Sequence, residues 1–205
     1  MPRLILFDFD GTLADTFAWF RAQLPDLIAR HRLSAAALAD LEALRGAHGR
    51  EVMRRLGVRW WQMPSIASDL RARMARDVAG IRLFPGVGEA LENLAVRGVM
   101  LAVVSSNAEA NVRAVLGERA GLIGAFACGV SVFGKARRFR EVMRRCGATA
   151  AETLAIGDEL RDLDAARAVG IRFGAVAWGY TSAEAFTGKA DLVFQSAQEW
   201  TRAID

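Results

Sequence analysis

The 205-residue sequence contains only two cysteines, Cys128 and Cys146, and they show no metal-ligand spacing. So few thiols in a chain of this length argue against a disulfide framework and favour a reducing compartment. No apolar stretch reaches the roughly 18 residues that a membrane helix needs. The apolar N-terminus meets Asp8 too early for a signal peptide. We therefore expect a cytoplasmic protein with no membrane partner.

Lysine is also scarce, because it occurs only at Lys135 and Lys189, yet the formal net charge is +4. Arginine supplies nearly all of the positive charge and is scattered along amphipathic stretches. The dense basic runs and interleaved aromatic residues of single-strand binders are missing. We therefore favour a solvated arginine-rich surface over a nucleic-acid partner, with at most a weak preference for anionic substrates.

Short apolar runs recur along the chain and indicate buried strands of a parallel sheet. The runs cover residues 4–9, 99–104, 153–156, 171–177 and 191–194. Helical patterns lie between them, over residues 86–96, 108–116, 135–146 and 160–169. This alternation predicts an α/β fold with a Rossmann-like parallel sheet, in which ligands bind at the carboxyl ends of the strands.

Residues 16–82 interrupt the alternation, because their pattern is helical throughout and holds no convincing strand. The predicted helices there cover residues 17–31, 34–44, 50–56 and 64–78. We therefore divide the chain into an α/β core domain, residues 1–15 and 83–205, and an inserted all-helical cap domain, residues 16–82. The cap is expected to lie over the end of the sheet.

Four groups of polar residues lie at the predicted strand ends or in the loops that follow. In chain order they are Asp8 with Asp10, then Ser105 with Ser106 and Asn107, then Lys135, then Asp158 with Asp162. Each group alone has a structural explanation in helix capping, turn formation or surface exposure. Their shared position at one edge of an α/β sheet indicates a site instead.

The residue types in these groups fit phosphoryl transfer. Two carboxylates two residues apart at a strand end repel each other unless a divalent cation or a proton relieves them. Hydroxyls and free helix amides bind anions, and clustered carboxylates suit Mg²⁺. Together the groups supply a nucleophile, a second carboxylate, a hydroxyl, a cation and metal-binding acids, which suffices for chemistry through an aspartyl phosphate.

The four groups in this order resemble the motifs of the haloacid dehalogenase superfamily, in its phosphoglycolate phosphatase-like branch. The hhhhDxDGT motif is residues 4–12, the hhhh[ST] motif is residues 101–105, the lysine motif is Lys135, and the GDxxxD motif is residues 157–162. The resemblance covers essentially the whole chain, including a helical cap after the first motif.

The resemblance implies a role for each acid. Asp8 would attack phosphorus, and Asp10 would be the general acid and base. Mg²⁺ would bind the Asp8 and Asp158 carboxylates and the backbone carbonyl of Asp10. Asp162 would hold metal-bound water or orient its neighbours.

The resemblance also implies an anion-binding set that would hold the phosphoryl oxygens. Ser105 and Lys135 would act on the reacting group directly, and the amides near Ser106 and Asn107 would complete the set. Asp10 favours phosphate esters, because dehalogenases of this superfamily lack an acid at that position. The predicted cap contains no lysine, which argues against a phosphonatase, and no G-x-G-x-x-G follows the first strand.

Two glycines interrupt the predicted cap helices within residues 44–51. In similar enzymes this loop contacts the leaving group, so Arg45 and His48 are candidate substrate contacts. An ordinary helix connection with solvated side chains is the alternative.

We therefore expect a Mg²⁺-dependent phosphatase for a small phosphorylated metabolite, whether phosphoglycolate-like, a sugar phosphate or a nucleotide. A phosphomutase of the same superfamily is one alternative, and a catalytically silent binding protein is another. The silent protein is disfavoured because Asp8, Asp10, Lys135 and Asp158 are all present. The expected assembly is a monomer or a homodimer.

Overall fold

The computed structural model describes residues 2–35, 53–129 and 134–202. Its six strands, within those ranges, form one parallel sheet. The strands are β1 (Leu4–Phe7), β2 (Met100–Val104), β3 (Ile123–Ala127), β4 (Thr153–Gly157), β5 (Arg172–Val176) and β6 (Leu192–Phe194). Their order across the sheet is β3-β2-β1-β4-β5-β6.

Helices connect the strands and fill the segment after β1. They are α1 (Phe17–His31), α2 (Met63–Asp77), α3 (Val87–Val96), α4 (Glu109–Leu116), α5 (Lys135–Cys146), α6 (Leu160–Arg167) and α7 (Glu199–Arg202). Short 3₁₀ helices cover Trp60–Gln62, Val78–Gly80, Gly117–Leu122 and Ala183–Phe186. In the part of the chain that the structure describes, no helix combines the length and apolar character that a membrane crossing requires.

The sheet is buried on both faces, which explains why its strands are continuous apolar runs. All four residues of β1 are fully enclosed. Ile5 and Phe7 pack into one apolar cluster with α3 and α4, whereas Leu4 and Leu6 pack into a second cluster with α5 and α6. Helices on both faces of a parallel sheet leave its strand ends as the place for a site.

The register of the central strands brings their carboxyl ends to one level. Phe7 of β1 pairs with Val103 of β2 on one side and with Ile156 of β4 on the other. The next residues along these strands therefore emerge together at one edge of the sheet. Asp8 and Asp158 are among them, and both are buried.

The predicted α/β fold with a Rossmann-like core is confirmed, and the sequence patterns located five of the six strands. β3 was missed because Gly124 and its alanines carry little of the β-branched and aromatic character that marks strands. The predicted helices over residues 34–44 and 50–56 lie largely outside the described residues.

The described part of residues 16–82 contains helices and no strand. The segments that lead into and out of it lie side by side, because the Asp15 amide donates to the Arg82 carbonyl at 2.9 Å. The Phe84 amide likewise donates to the Leu13 carbonyl at 2.9 Å. The exact division into core and cap stays a prediction.

Candidate active site

Lys135 joins two acids that lie far apart in the sequence. It is the first residue of α5, and its Nζ lies 2.7 Å from Asp8 Oδ2 and 2.5 Å from Asp162 Oδ1. Burial disfavours the Lys135 ammonium, but the charges of Asp162 and Asp8 outweigh burial and raise its pKa. Burial also opposes ionisation of Asp8, yet Lys135 and Arg161 hold the Asp8 pKa below its usual value. The geometry therefore keeps Asp8 an anion.

Asp10 lies beside Asp8, but its surroundings favour the protonated carboxyl group instead of the anion. Asn107 Nδ2 donates to both of its carboxyl oxygens at 3.2 Å. Burial is the main cause that raises the Asp10 pKa to about 7, and the neighbouring charge of Asp8 adds to it. One acid of the pair is thus ionised while the other can carry a proton near neutral pH, which is the arrangement that acid catalysis needs.

Asp158 is fully enclosed and held at both oxygens. Thr12 Oγ1 donates to its Oδ1 at 2.8 Å, and the Tyr180 amide donates to its Oδ2 at 2.8 Å. Burial and the nearby charge of Glu159 nevertheless raise its pKa well above the usual value. The two hydrogen bonds orient the Asp158 side chain, but they do not offset the cost of ionising it.

Two glycines leave the space that Asp158 occupies. A Cβ at Gly11 would come within 2.2 Å of Asp158 Oδ2, and one at Gly179 within 2.1 Å of Asp158 Cβ. Gly11 also has a positive φ of 75°, which side-chain-bearing residues rarely adopt. Both positions therefore require glycine if Asp158 is to stay where it is.

Asp8, Asp158 and Asp162 each offer a carboxylate oxygen, and these three atoms lie within 4.8 Å of one another. Asp8 Oδ2 is buried and faces the Lys135 ammonium. Burial also raises the Asp162 pKa to about 7, against the attraction of Lys135. A compact set of buried, under-neutralised carboxylates fits a hard divalent cation with oxygen ligands.

The predicted anion-binding residues follow β2 at the same edge. Ser105 is fully buried, and its Oγ accepts a hydrogen bond from the Asn107 amide at 3.0 Å. Ser106 is half-buried, and its carbonyl accepts from Arg71 Nη1 at 3.3 Å. We call residues 105–107 the serine loop, and the structure brings this loop, through Asn107, into direct contact with Asp10.

Sequence reasoning missed several residues of this edge. Arg161 and Glu159 occupy variable positions of the GDxxxD motif, and Arg161 Nη2 lies 2.6 Å from Glu159 Oε1. Tyr180 OH lies 2.6 Å from Thr16 Oγ1. Arg161 could have been found from the sequence, because it and Glu159 place opposite charges inside a motif that already holds two acids.

The two predicted cap contacts, Arg45 and His48, lie outside the described residues.

Comparisons with known proteins match these features. The family model described as haloacid dehalogenase-like hydrolase matches residues 5–176. A phosphoglycolate phosphatase from Synechococcus elongatus is 30% identical over 98% of this chain and 96% of its own length.

Solved structures share the fold. A haloacid dehalogenase-like family hydrolase from Streptococcus pneumoniae superposes with a TM-score of 0.79 at 18% identity, covering 100% of this chain and 99% of its own. A CbbY variant from Rhodobacter sphaeroides, solved with xylulose-(1,5)-bisphosphate, superposes with a TM-score of 0.72 at 25% identity, covering 97% and 96%.

The chain belongs to the haloacid dehalogenase-like hydrolases. The prediction of an enzyme of this superfamily, in its phosphoglycolate phosphatase-like branch, is confirmed.

Proposed function

We propose that this hydrolase is a Mg²⁺-dependent phosphatase that acts on a small phosphorylated metabolite through an aspartyl-phosphate intermediate. The observation that carries the proposal is the buried contact of Lys135 with Asp8 and Asp162, at 2.7 and 2.5 Å. It provides an ionised carboxylate with a charge-compensating partner at the strand edge. The phosphoglycolate phosphatase among the relatives supports the same activity.

In the first step, the Asp8 carboxylate attacks phosphorus and the bond from phosphorus to the leaving oxygen breaks. Asp10 donates its proton to that oxygen, so the alcohol departs neutral. A pKa of about 7 makes the proton available near neutral pH. In the second step, Asp10 takes a proton from water, the water oxygen attacks phosphorus, and phosphate leaves with Asp8 restored.

Lys135 and the serine loop would carry the charge of the reacting group. The Lys135 ammonium faces Asp8, so it would neutralise the nucleophile and then the phosphoryl oxygens. Ser105, with Ser106 and Asn107, would hold those oxygens at the end of β2. Positioning and charge compensation supply most of the catalysis in reactions of this kind.

Asp8, Asp158 and the backbone carbonyl of Asp10 are the proposed Mg²⁺ ligands, with Asp162 as a neighbour that orients them. The three clustered, buried carboxylates fit such an ion. When bound, Mg²⁺ would supply positive charge to the nucleophile and the phosphoryl group. Without it, the cluster contains more acids than its lysine and arginine neutralise.

The substrate range includes phosphoglycolate-like compounds, sugar phosphates and nucleotides. The named relative favours the first, and the bisphosphate bound by the CbbY variant supports the second. Arg45 and His48 remain candidate contacts to the leaving group. The phosphomutase alternative, the cytoplasmic location and a monomeric or homodimeric assembly also stay predictions.

The test is phosphate release from a panel of phosphorylated metabolites with Mg²⁺, for the wild type, Asp8→Asn and the control Asp164→Asn. Asp164 is an exposed acid on α6, so its variant should retain activity. We expect release that Asp8→Asn and chelation of the metal both abolish. Release that survives Asp8→Asn would contradict the aspartyl-phosphate route, and transfer without free phosphate would favour the mutase.

A further inference from the structure

Arg71 is a cation of the helical insert that reaches the serine loop. It lies on α2, and its Nη1 donates to the Ser106 carbonyl at 3.3 Å. Ser106 stands between Ser105 and Asn107, which line the candidate active site. Arg71 therefore brings a guanidinium from outside the sheet to the edge where the phosphoryl group is proposed to bind.

Two buried asparagines fix the position of Arg71 relative to Asp10. Asn111 Nδ2 donates to the Arg71 carbonyl at 3.0 Å and lies 3.0 Å from Asn107 Oδ1. Asn107 in turn donates to both carboxyl oxygens of Asp10. Asn107 is 6% exposed and Asn111 is 4% exposed, so bulk water does not compete for the hydrogen bonds of these two side chains. The backbone of Arg71 is thus tied to the proposed general acid by a short chain of hydrogen bonds.

The Arg71 guanidinium is under-used compared with its neighbour on the same helix. Arg73 pairs with Asp69 and Asp26 and also donates to Gln23. Arg71 is half-buried, and among the described residues its only side-chain partner is the neutral Ser106 carbonyl. A guanidinium carries five donors in a planar fork. Most of those donors therefore remain available to a ligand.

Arg71 is joined through Asn111 and Asn107 to Asp10, the residue that would protonate the leaving group. This step depends on the proposed function, in which Asp10 protonates the leaving oxygen. A leaving group that extends from phosphorus past Asp10 would approach Asn107 and Arg71. A planar guanidinium recognises a carboxylate through two parallel hydrogen bonds.

We infer that Arg71 is a specificity-determining residue that binds a carboxylate on the leaving group. The substrate class is then a small phosphomonoester whose alcohol also carries a carboxylate. Arg71 would add affinity for this class without touching the reacting phosphorus.

The experiment compares two substrates of similar size, 2-phosphoglycolate, which carries the carboxylate, and ethyl phosphate, which does not. Steady-state kinetics are measured for the wild type, Arg71→Met, Arg71→Lys and the control Arg76→Met. Arg76 is exposed on the same helix. Thermal unfolding of each variant shows that it is folded.

We expect Arg71→Met to raise KM for 2-phosphoglycolate about 10- to 100-fold, the range for losing a charge-assisted pair. Its kcat/KM for ethyl phosphate should stay within about threefold of wild type, because no charged contact is lost there. Arg71→Lys should show a smaller loss that is still selective for 2-phosphoglycolate, and it replaces the Met variant in the test if that variant does not fold. Arg76→Met should match the wild type with both substrates.

Equal losses with both substrates would overturn the inference, because Arg71 would then serve the phosphoryl group or the fold. An unchanged KM for 2-phosphoglycolate would overturn it as well. So would a wild type that hydrolyses other phosphate esters but not 2-phosphoglycolate, and in that case the proposed phosphatase activity would stand. A wild type that hydrolyses no phosphate ester would instead contradict the proposed function itself.

Discussion

Asp69 in the helical insert is a half-buried carboxylate and Asp158 at the sheet edge is a fully buried one, and their electrostatic surroundings are opposite. Asp69 lies 3.2 Å from Arg73 Nε and 3.2 Å from His31 Nε2, and these partners outweigh burial and lower its pKa. Around Asp158, burial and the charge of Glu159 raise the pKa well above its usual value. The charge of the aspartate is compensated by basic side chains in the insert, but it is not compensated at the sheet edge.

The difference separates charges that hold the fold together from charges reserved for a ligand. In the insert, Arg73 on α2 pairs with Asp26 of α1 and with Asp69 of α2. At the sheet edge, Asp10 and Asp162 both have pKa values of about 7, mainly because of burial. An acid cluster that costs stability in the free protein is typical of a site completed by a cation and a substrate.

The largest expected effect comes from the same substitution made in each region, Asp8→Asn and Asp69→Asn. Asp8→Asn should lower kcat by about 10³-fold or more, because the nucleophile is removed. Its stability in metal-free buffer should also fall, because the Asp8 anion is held by Lys135 and its pKa lies below the usual value. Phosphate release and denaturant unfolding measure the two quantities.

Asp69→Asn should differ from Asp8→Asn in its effect on activity. We expect less than about a tenfold loss of kcat but a lower unfolding free energy, because Arg73 and His31 lose a charged partner. If Asp69→Asn removed activity as completely as Asp8→Asn, the two regions would not differ in the way described.

The next prediction concerns the ion pair between Arg73 and Asp69 in the insert. Arg73→Met should lower the unfolding free energy by about 1 kcal/mol, because Asp69 loses one of its charged partners. The double variant Asp69→Leu with Arg73→Met should recover most of that loss, since both charges are then replaced by apolar groups. Urea unfolding measures both variants, and equal stabilities for the single and double variants would contradict a paired interaction.

A smaller effect concerns pH. The folded-state pKa of Asp10 is about 7, against an ordinary value of 3.8, so the folded protein binds its proton more tightly than the unfolded chain does. This contribution is present at low pH and is lost as the pH rises through about 7. Relative to Asp10→Asn, metal-free wild type should therefore lose about 3 kcal/mol of stability between about pH 4.5 and 7.5.

Unfolding with a chelator present measures this difference at several pH values. A wild type that instead gained stability relative to Asp10→Asn over this window would show that the fold stabilises the Asp10 anion, which would contradict a raised pKa.

The core of the site was predictable because its acids follow buried strands, and the parallel register then fixes where they meet. Asp8 and Asp158 were located in this way, and the scarcity of lysine drew attention to Lys135. Tyr180 and Arg71 were not predicted as site residues. Tyr180 contacts Asp158 through its backbone amide, which no side-chain pattern reveals.

Arg71 looked like one more arginine of an amphipathic helix. Its importance depends on how α2 packs against the serine loop, and on Asn111 holding its carbonyl. Sequence spacing indicates which face of a helix is polar, but it does not indicate what that face meets across the fold. The edge strand β3 was missed for a local reason, since its glycine and alanines resemble a loop.

The most direct test of the contrast between the two regions is thermal unfolding of the wild type and Asp158→Asn, with Mg²⁺ titrated from zero. If the unbalanced acids at the sheet edge form a cation site, Mg²⁺ should stabilise the wild type by about 1.4 kcal/mol at ten times its Kd. Asp158→Asn should show little of that gain, and Asp69→Asn should show all of it. Equal stabilisation of the wild type and Asp158→Asn, or none in either, would contradict the account.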